Sequence, residues 1–146
     1  MLVNKIYIYI KYIFLFFLVT LLSVFIFFQL ERYLTILELE KNSQILDTRL
    51  GQIEYSDSLG EGPAILHIHG SPGGYDQVFG IDEKYKVISP SRPGYLRTPI
   101  TSGKTPEEQA DLYKALLEEL DIDSVIVWGS SGGGPSAIEF AIKYPE

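Results

Sequence analysis

The hydrophobic positions divide the chain into two regimes. From Tyr12 to Leu30 no residue is charged, and most are Phe, Leu, Ile or Val. As a helix rising ~1.5 Å per residue, this run is about 28 Å long, close to the ~30 Å hydrocarbon thickness of a bilayer. After it, apolar residues come in short groups separated by turn residues. Glu31 to Ser43 mixes charges with Tyr33, Leu34, Leu37 and Leu39, the pattern of a helical stalk. Ile45 to Leu50 and Gln52 to Tyr55 predict a hairpin around Gly51, with Ile53 and Tyr55 on the buried face and Gln52 and Glu54 opposite. Ser56 to Pro63 carries turn chemistry. Ala64 to Ile68 and Lys86 to Ser89 predict short strands, each closed by a Pro/Gly loop. Thr105-Pro106-Glu107-Glu108 announces a helix through a capping box. Its apolar stripe is Tyr113, Leu116, Leu117 and Leu120. Val125 to Trp128 is apolar on both faces, which predicts a central parallel strand covered on both sides. The helix that follows, from Pro135 to Tyr144, is expected to bury Ala137, Ile138, Ala141 and Ile142.

Charge refines the first regime. Lys5 and Lys11 precede the uncharged run with no acid beside them, so the N-terminus is expected in the cytoplasm and the rest on the non-cytoplasmic side. Arg32 and Lys41 just beyond the run weaken that bias. A cleaved signal peptide requires small residues at its cut site, and no Ala, Gly or Pro occurs before Gly51. The expected organisation is a single-pass membrane anchor over 1–30, a juxtamembrane stalk over 31–43 and one domain over 44–146. All 19 acidic residues, against 12 basic ones in the whole chain, fall from Glu31 onward. That balance argues against nucleic acid as a partner. The absence of cysteine excludes a disulfide framework and a thiolate metal site. Two histidines, His67 and His69, are too few for most zinc sites. Neither a metal nor an organic cofactor is expected, and nothing in the pattern specifies an oligomeric state.

Candidate chemistry concentrates at Gly129-Ser130-Ser131-Gly132-Gly133, between the last strand and the last helix. A strand that reverses into a helix at one residue holds that residue in strained geometry. Side chains two positions before and after it would collide, so glycine is needed there. Gly129 and Gly133 meet this requirement and leave Ser131 at the tip, the arrangement of a nucleophile elbow. Gly132 N–H, at the start of the helix, can donate to an oxyanion. A Gly-rich loop that makes a plain turn is the alternative, so the wider context decides. That context includes a second loop, His69-Gly70-Ser71-Pro72-Gly73-Gly74, which brings bare backbone N–H groups to a strand's C-terminal edge. Ligands of open α/β sheets bind at that edge.

Three blocks in order, His69 to Gly74, Ser91-Arg92-Pro93-Gly94-Tyr95 and Gly129 to Pro135, resemble the α/β-hydrolase family over about residues 44–146. The resemblance implies the N-terminal part of a mostly parallel α/β sheet with helices on both faces. It implies Ser131 as nucleophile, with backbone N–H groups of Gly132 and Ser71 as the oxyanion hole and His69 and Gly70 lining the site. The substrate would be a small-molecule ester or amide. Serine at the elbow argues against the dehalogenase and epoxide-hydrolase branches, which use a carboxylate nucleophile. The Pro-Gly-Gly loop also resembles that of proline iminopeptidases, which keeps a peptidase open. The sequence departs from the family in one respect. The family order is Ser, then an acid, then His, and no histidine follows Ser131. The catalytic acid and histidine are therefore expected outside these residues, and this segment alone is expected to be inactive. A non-catalytic truncated module is the alternative. Asp76 and Asp82 read as solvated loop residues, Arg92 as a donor that fixes its loop, and Tyr95 and Trp128 as core or pocket wall.

The orientation of the anchor is directly testable. Protease added outside intact cells or spheroplasts should digest the domain, and protection that lasts until the membrane is permeabilised would contradict the assignment.

Overall fold

The computed structural model describes residues 2–58 and 60–145. Met1, Glu146 and Leu59, the last within the Ser56–Pro63 turn, lie outside the described residues. The chain divides into two units, Met1–Glu40 and Lys41–Glu146.

The first unit is the helix α1 (Leu2–Lys41). No glycine or proline interrupts its sequence, so nothing breaks the backbone ladder. Its side chains from Ile6 to Glu38 are exposed on every side, including the Phe and Leu residues of the uncharged run. By length and composition this helix is long and apolar enough to cross a membrane. The Thr20 and Ser23 hydroxyls inside the uncharged run are already satisfied. Thr20 Oγ1 donates to the Phe16 carbonyl and Ser23 Oγ to the Val19 carbonyl, each at 2.9 Å. The segments expected as anchor (1–30) and stalk (31–43) share this one helix from Leu2 to Lys41.

The second unit is built on a five-stranded sheet in the order β1-β2-β4-β3-β5. Strands β1 (Gln44–Thr48) and β2 (Gly51–Asp57) form the expected hairpin, closed by Thr48 Oγ1 donating to the Gly51 carbonyl at 2.8 Å. β2 then pairs antiparallel with β4 (Lys86–Pro90). β3 (Ala64–Ile68) runs parallel to β4 on one side and to β5 (Ile126–Gly129) on the other. The sheet is therefore mixed, not mostly parallel, because the β1–β2 hairpin contributes two antiparallel pairings.

Helix α2 (Pro106–Glu119) starts at the capping box read from the sequence. Thr105 Oγ1 accepts from Glu108 N–H, and the Glu108 carboxylate accepts from Thr105 N–H. Leu112, Tyr113, Leu116 and Leu117 pack with Ile53, Leu66, Ile68 and Ile88 of the sheet, and with Ala137 and Phe140 of α3 (Gly134–Lys143). Strand alternation puts those sheet residues on one face. Both helices share that face, so the expected covering of the two faces by helices is not what is observed among the described residues. The opposite face carries the polar residues Glu54, His67 and Ser89, all buried.

Two expectations about burial are also corrected. Among the described residues β5 pairs only with β3, and Ile126 and Trp128 are about half exposed, so the expected covering of this strand on both sides is not seen among these residues. On α3, Ser136, Ala137 and Phe140 are buried, whereas Ile138, Ala141 and Ile142 are exposed. Apolar residues surround this helix, and only the side facing α2 and the sheet finds partners. Its end is tied to α2 by Lys143 Nζ and Tyr144 OH, both donating to the Asp111 carboxylate.

Glu54 is the largest departure from the hydrophobic pattern. The alternation puts it on a solvated face, yet it is 1% exposed. Its carboxylate accepts from Arg97 Nε at 2.7 Å, Ser43 Oγ at 2.7 Å, Ser91 Oγ at 2.9 Å and Arg97 N–H at 3.0 Å. Burial pushes its pKa up, but the Arg97, Ser43 and Ser91 hydrogen bonds outweigh burial and hold it below the usual range. The network joins the start of β1, the middle of β2 and the loop after β4.

Because the folded carboxyl titrates below the unfolded one, its contribution is complete above the ordinary Glu pKa of ~4.3. It is lost as pH falls through the folded value. Glu54→Gln should cost about 3 kcal/mol at neutral pH by removing the buried carboxylate that Arg97, Ser43 and Ser91 donate to. The gap to the wild type should narrow as the solution is acidified below the Glu range. Urea unfolding of the detergent-solubilised protein at neutral and acidic pH measures both, and equal midpoints at neutral pH would contradict the role of the network.

Candidate active site

β5 delivers the chain to the site in a defined register. Ile68 of β3 sits opposite Gly129, and Ser130 N–H extends the ladder by donating to the Ile68 carbonyl at 2.9 Å. Ser130 is still extended, with φ −104° and ψ 130°. Ser131 then turns to φ 44°, left-handed geometry that costs a non-glycine residue roughly 1–2 kcal/mol. A short 3-10 turn, Ser131–Gly133, passes directly into α3. The reversal thus occurs at one residue, and Ser131 is exposed at its tip.

The flanking glycines are required by contact distances. A Cβ at Gly129 would fall 2.5 Å from Ala137 Cβ and 3.1 Å from the Gly133 carbonyl oxygen. A Cβ at Gly133 would overlap the carbonyl oxygens of Ile68 and His69. The need for glycine after the tip therefore arises from the backbone of β3, as well as from the turn's own crowding.

The first loop lies against the tip. A Cβ at Gly70 would fall 3.1 Å from Ser131 Cβ. A Cβ at Gly132 would fall 2.9 Å from Arg92 Nη1 and 3.1 Å from Ser71 Oγ. Gly70, Ser71, Arg92, Ser131 and Gly132, drawn from three loops, thus converge at the C-terminal ends of β3, β4 and β5. Ser71 Oγ and Tyr95 OH are hydrogen-bonded at 2.6 Å, which joins two of the loops. The Ser71–Pro72 peptide is cis.

His69 is fully buried and holds the same loops together. Arg92 N–H donates to Nε2 at 2.8 Å, and Nδ1 lies 2.6 Å from the Gly70 carbonyl. An N–H can only donate and a carbonyl can only accept, so Nδ1 carries the proton and the ring is neutral. Its edge-to-face partner is Tyr95, at 5.0 Å between ring centroids. Burial pushes its pKa down and the nearby Arg92 charge adds to this, against the opposing Gly70 hydrogen bond. With both nitrogens engaged, neither can receive a proton from Ser131. His67 is also buried, 3.3 Å from Ser89 Oγ through Nδ1, and burial again lowers its pKa. Asp76 and Asp82 are exposed. Among the described residues no cluster of His, Cys, Asp or Glu could hold a metal ion.

Two features escape the local sequence pattern. One is Glu54, whose network fixes Ser91 and Arg97 on either side of the Arg92 loop. The other is the approach of the Arg92 guanidinium to Gly132. The Pro/Gly-rich surroundings of Arg92 signal a loop but give no direction to its side chain.

Comparison with known proteins gives a consistent result. The family described as "alpha/beta hydrolase fold" matches residues 63–146. A hydrolase of Bacillus subtilis, YcgS, is 44% identical over 100 residues, which cover 66% of this chain and 35% of that protein. A 2-hydroxy-6-oxo-6-phenylhexa-2,4-dienoate hydrolase of Comamonas testosteroni is 32% identical, over 64% of this chain and 36% of its own. Among solved structures, the N-acyl homoserine lactonase AidH in complex with N-butanoyl homoserine superposes with a TM-score of 0.62 at 32% identity, covering 72% of this chain and 42% of that one. An alpha/beta hydrolase fold protein from Nakamurella multipartita gives 0.59 at 36% identity, over 70% of this chain and 37% of its own. The chain spans about a third of the length of the curated relatives it matches.

Proposed function

The chain belongs to the α/β-hydrolase family, and we propose that it carries the nucleophile half of a serine hydrolase acting on small carboxylic esters or amides. The observation that carries this reading is the left-handed Ser131, exposed at the tip of a one-residue strand-to-helix reversal. Ser131 Oγ attacks the carbonyl carbon. The carbonyl oxygen takes up the negative charge and is met by the backbone N–H groups of Gly132 and Ser71. Collapse of the tetrahedral adduct expels the alcohol or amine and leaves an acyl-serine, which water then hydrolyses.

Serine is a weak nucleophile at neutral pH and needs an adjacent base. His69 and His67 are both committed elsewhere by their hydrogen bonds and burial. The base and its acid partner therefore come from polypeptide outside these 146 residues. The coverage of only about a third of the relatives' length supports this. A lactone is a cyclic ester, so the similarity to a lactonase falls within the proposed class. The α1 helix serves as the membrane anchor, with the hydrolase unit on the non-cytoplasmic side.

The complete polypeptide should hydrolyse p-nitrophenyl hexanoate. Ser131→Ala should lower turnover by about 10⁴- to 10⁶-fold, the scale seen when a triad member is removed. The 146 residues alone should show no Ser131-dependent turnover. Hydrolysis by the complete protein that survives Ser131→Ala would overturn the nucleophile assignment.

A further inference from the structure

The Arg92 guanidinium is not explained by the fold. Its backbone N–H is held by His69, which fixes the position of the residue. The side chain lies 5.3 Å from the Tyr95 ring centroid, and Nη1 makes one long hydrogen bond, 3.4 Å, to Ser71 Oγ. Its Nε is inaccessible to solvent and has no acceptor among the described residues. Among the described residues no carboxylate pairs with it. The ion pairs of the sheet unit use Arg49, Lys84, Lys86, Arg97, Lys114 and Lys143 instead. This is notable in a chain whose net charge is −7.

The positive charge of this half-buried guanidinium therefore has no counter-ion among the described residues. Holding the loops does not require that charge. The Ser71–Tyr95 hydrogen bond at 2.6 Å and the His69–Arg92 main-chain bond already join them with neutral groups. What the charge does adjoin is the elbow, since Nη1 lies 2.9 Å from where a Cβ on Gly132, the residue after Ser131, would sit. Guanidinium groups bind carboxylates through paired, charge-assisted N–H donors.

We propose that Arg92 is the anion-recognition element of this site and selects substrates bearing a carboxylate on the acyl side of the scissile carbonyl. The proposal rests on the assignment of Ser131 as nucleophile. The substrate carboxylate supplies the missing counter-charge, and the Tyr95 ring and Ser71 hydroxyl keep the guanidinium aimed at it. A substrate without that group leaves Arg92 unpaired, which makes the discrimination electrostatic as well as steric.

The test compares mono-p-nitrophenyl adipate with p-nitrophenyl hexanoate, an anionic and a neutral ester of equal acyl length, using the complete polypeptide. The readout is the ratio of their kcat/KM values after subtraction of spontaneous hydrolysis. The wild type should prefer the anionic ester by roughly 10- to 100-fold, the scale of one charge-assisted hydrogen bond. That preference should shrink as the screening length falls from about 10 Å at 0.1 M salt to about 3 Å at 1 M. Arg92→Gln should remove the preference, and Arg92→Lys, which retains charge but not the fork, should keep part of it. A wild-type ratio near one would overturn the proposal without any variant. So would an Arg92→Gln enzyme that loses activity on both esters equally, which is the behaviour of a group serving only the transient oxyanion or the loop's shape. Turnover of either ester that persists in Ser131→Ala would instead bring down the underlying nucleophile assignment, so the two failures are distinguishable.

Discussion

The site depends on how closely the backbone of the elbow approaches that of β3. At Gly133 the chain passes against the carbonyl oxygens of Ile68 and His69, with no room for a side chain. Ser130 N–H, one residue after the β3–β5 register ends at Gly129, still bonds to the Ile68 carbonyl. Between these two fixed points the direction of the chain must reverse, and the reversal falls on Ser131. The positive φ of Ser131 is thus imposed by tertiary packing on both sides of it. Strain of this kind persists only where the surroundings over-determine it. Here they consist of a strand pairing before the serine and a backbone contact after it.

A second layer keeps the neighbouring loops where the tip needs them. His69 is neutral and buried, and it joins the loop after β3 to the loop after β4 through the Arg92 N–H. Glu54 is charged and buried, and it anchors Ser91 and Arg97 on either side of Arg92. The polar face of the sheet therefore acts as a support for the site, while the opposite face, packed against α2 and α3, supplies the apolar core. The division explains why Glu54 tolerates burial. Four hydrogen-bond donors, one of them cationic, replace the water it loses.

Much of this was legible in the sequence, and the parts that were not share a cause. The elbow, the two Pro/Gly loops, the hairpin and the α2 capping box all rest on residues close together in the chain, where glycine, proline and capping side chains carry local geometric meaning. The correct reading of Glu54 depends on Arg97, 43 positions away, and a strand's alternation alone assigns an acid to solvent. The exposed Ile138 and Ile142 of α3, and the half-exposed Ile126 and Trp128 of β5, find no partner among the described residues. Apolar character states that a residue needs a partner but not which element supplies it. Arg92 is the intermediate case: its loop was read correctly, whereas the direction of its guanidinium follows only from the convergence of three loops.

The central claim is that the glycine contact with β3 creates the reactive geometry of Ser131. Its most direct test is the rate at which a fluorophosphonate modifies Ser131 in the complete polypeptide, with the modified residue located by peptide mass spectrometry, in the wild type and in Gly133→Ala. The account predicts an adduct on Ser131 in the wild type and labelling slowed at least ~100-fold in the variant, because an added Cβ displaces the tip from the proposed oxyanion donors. An adduct on another serine, or equal labelling rates in the two proteins, would contradict it.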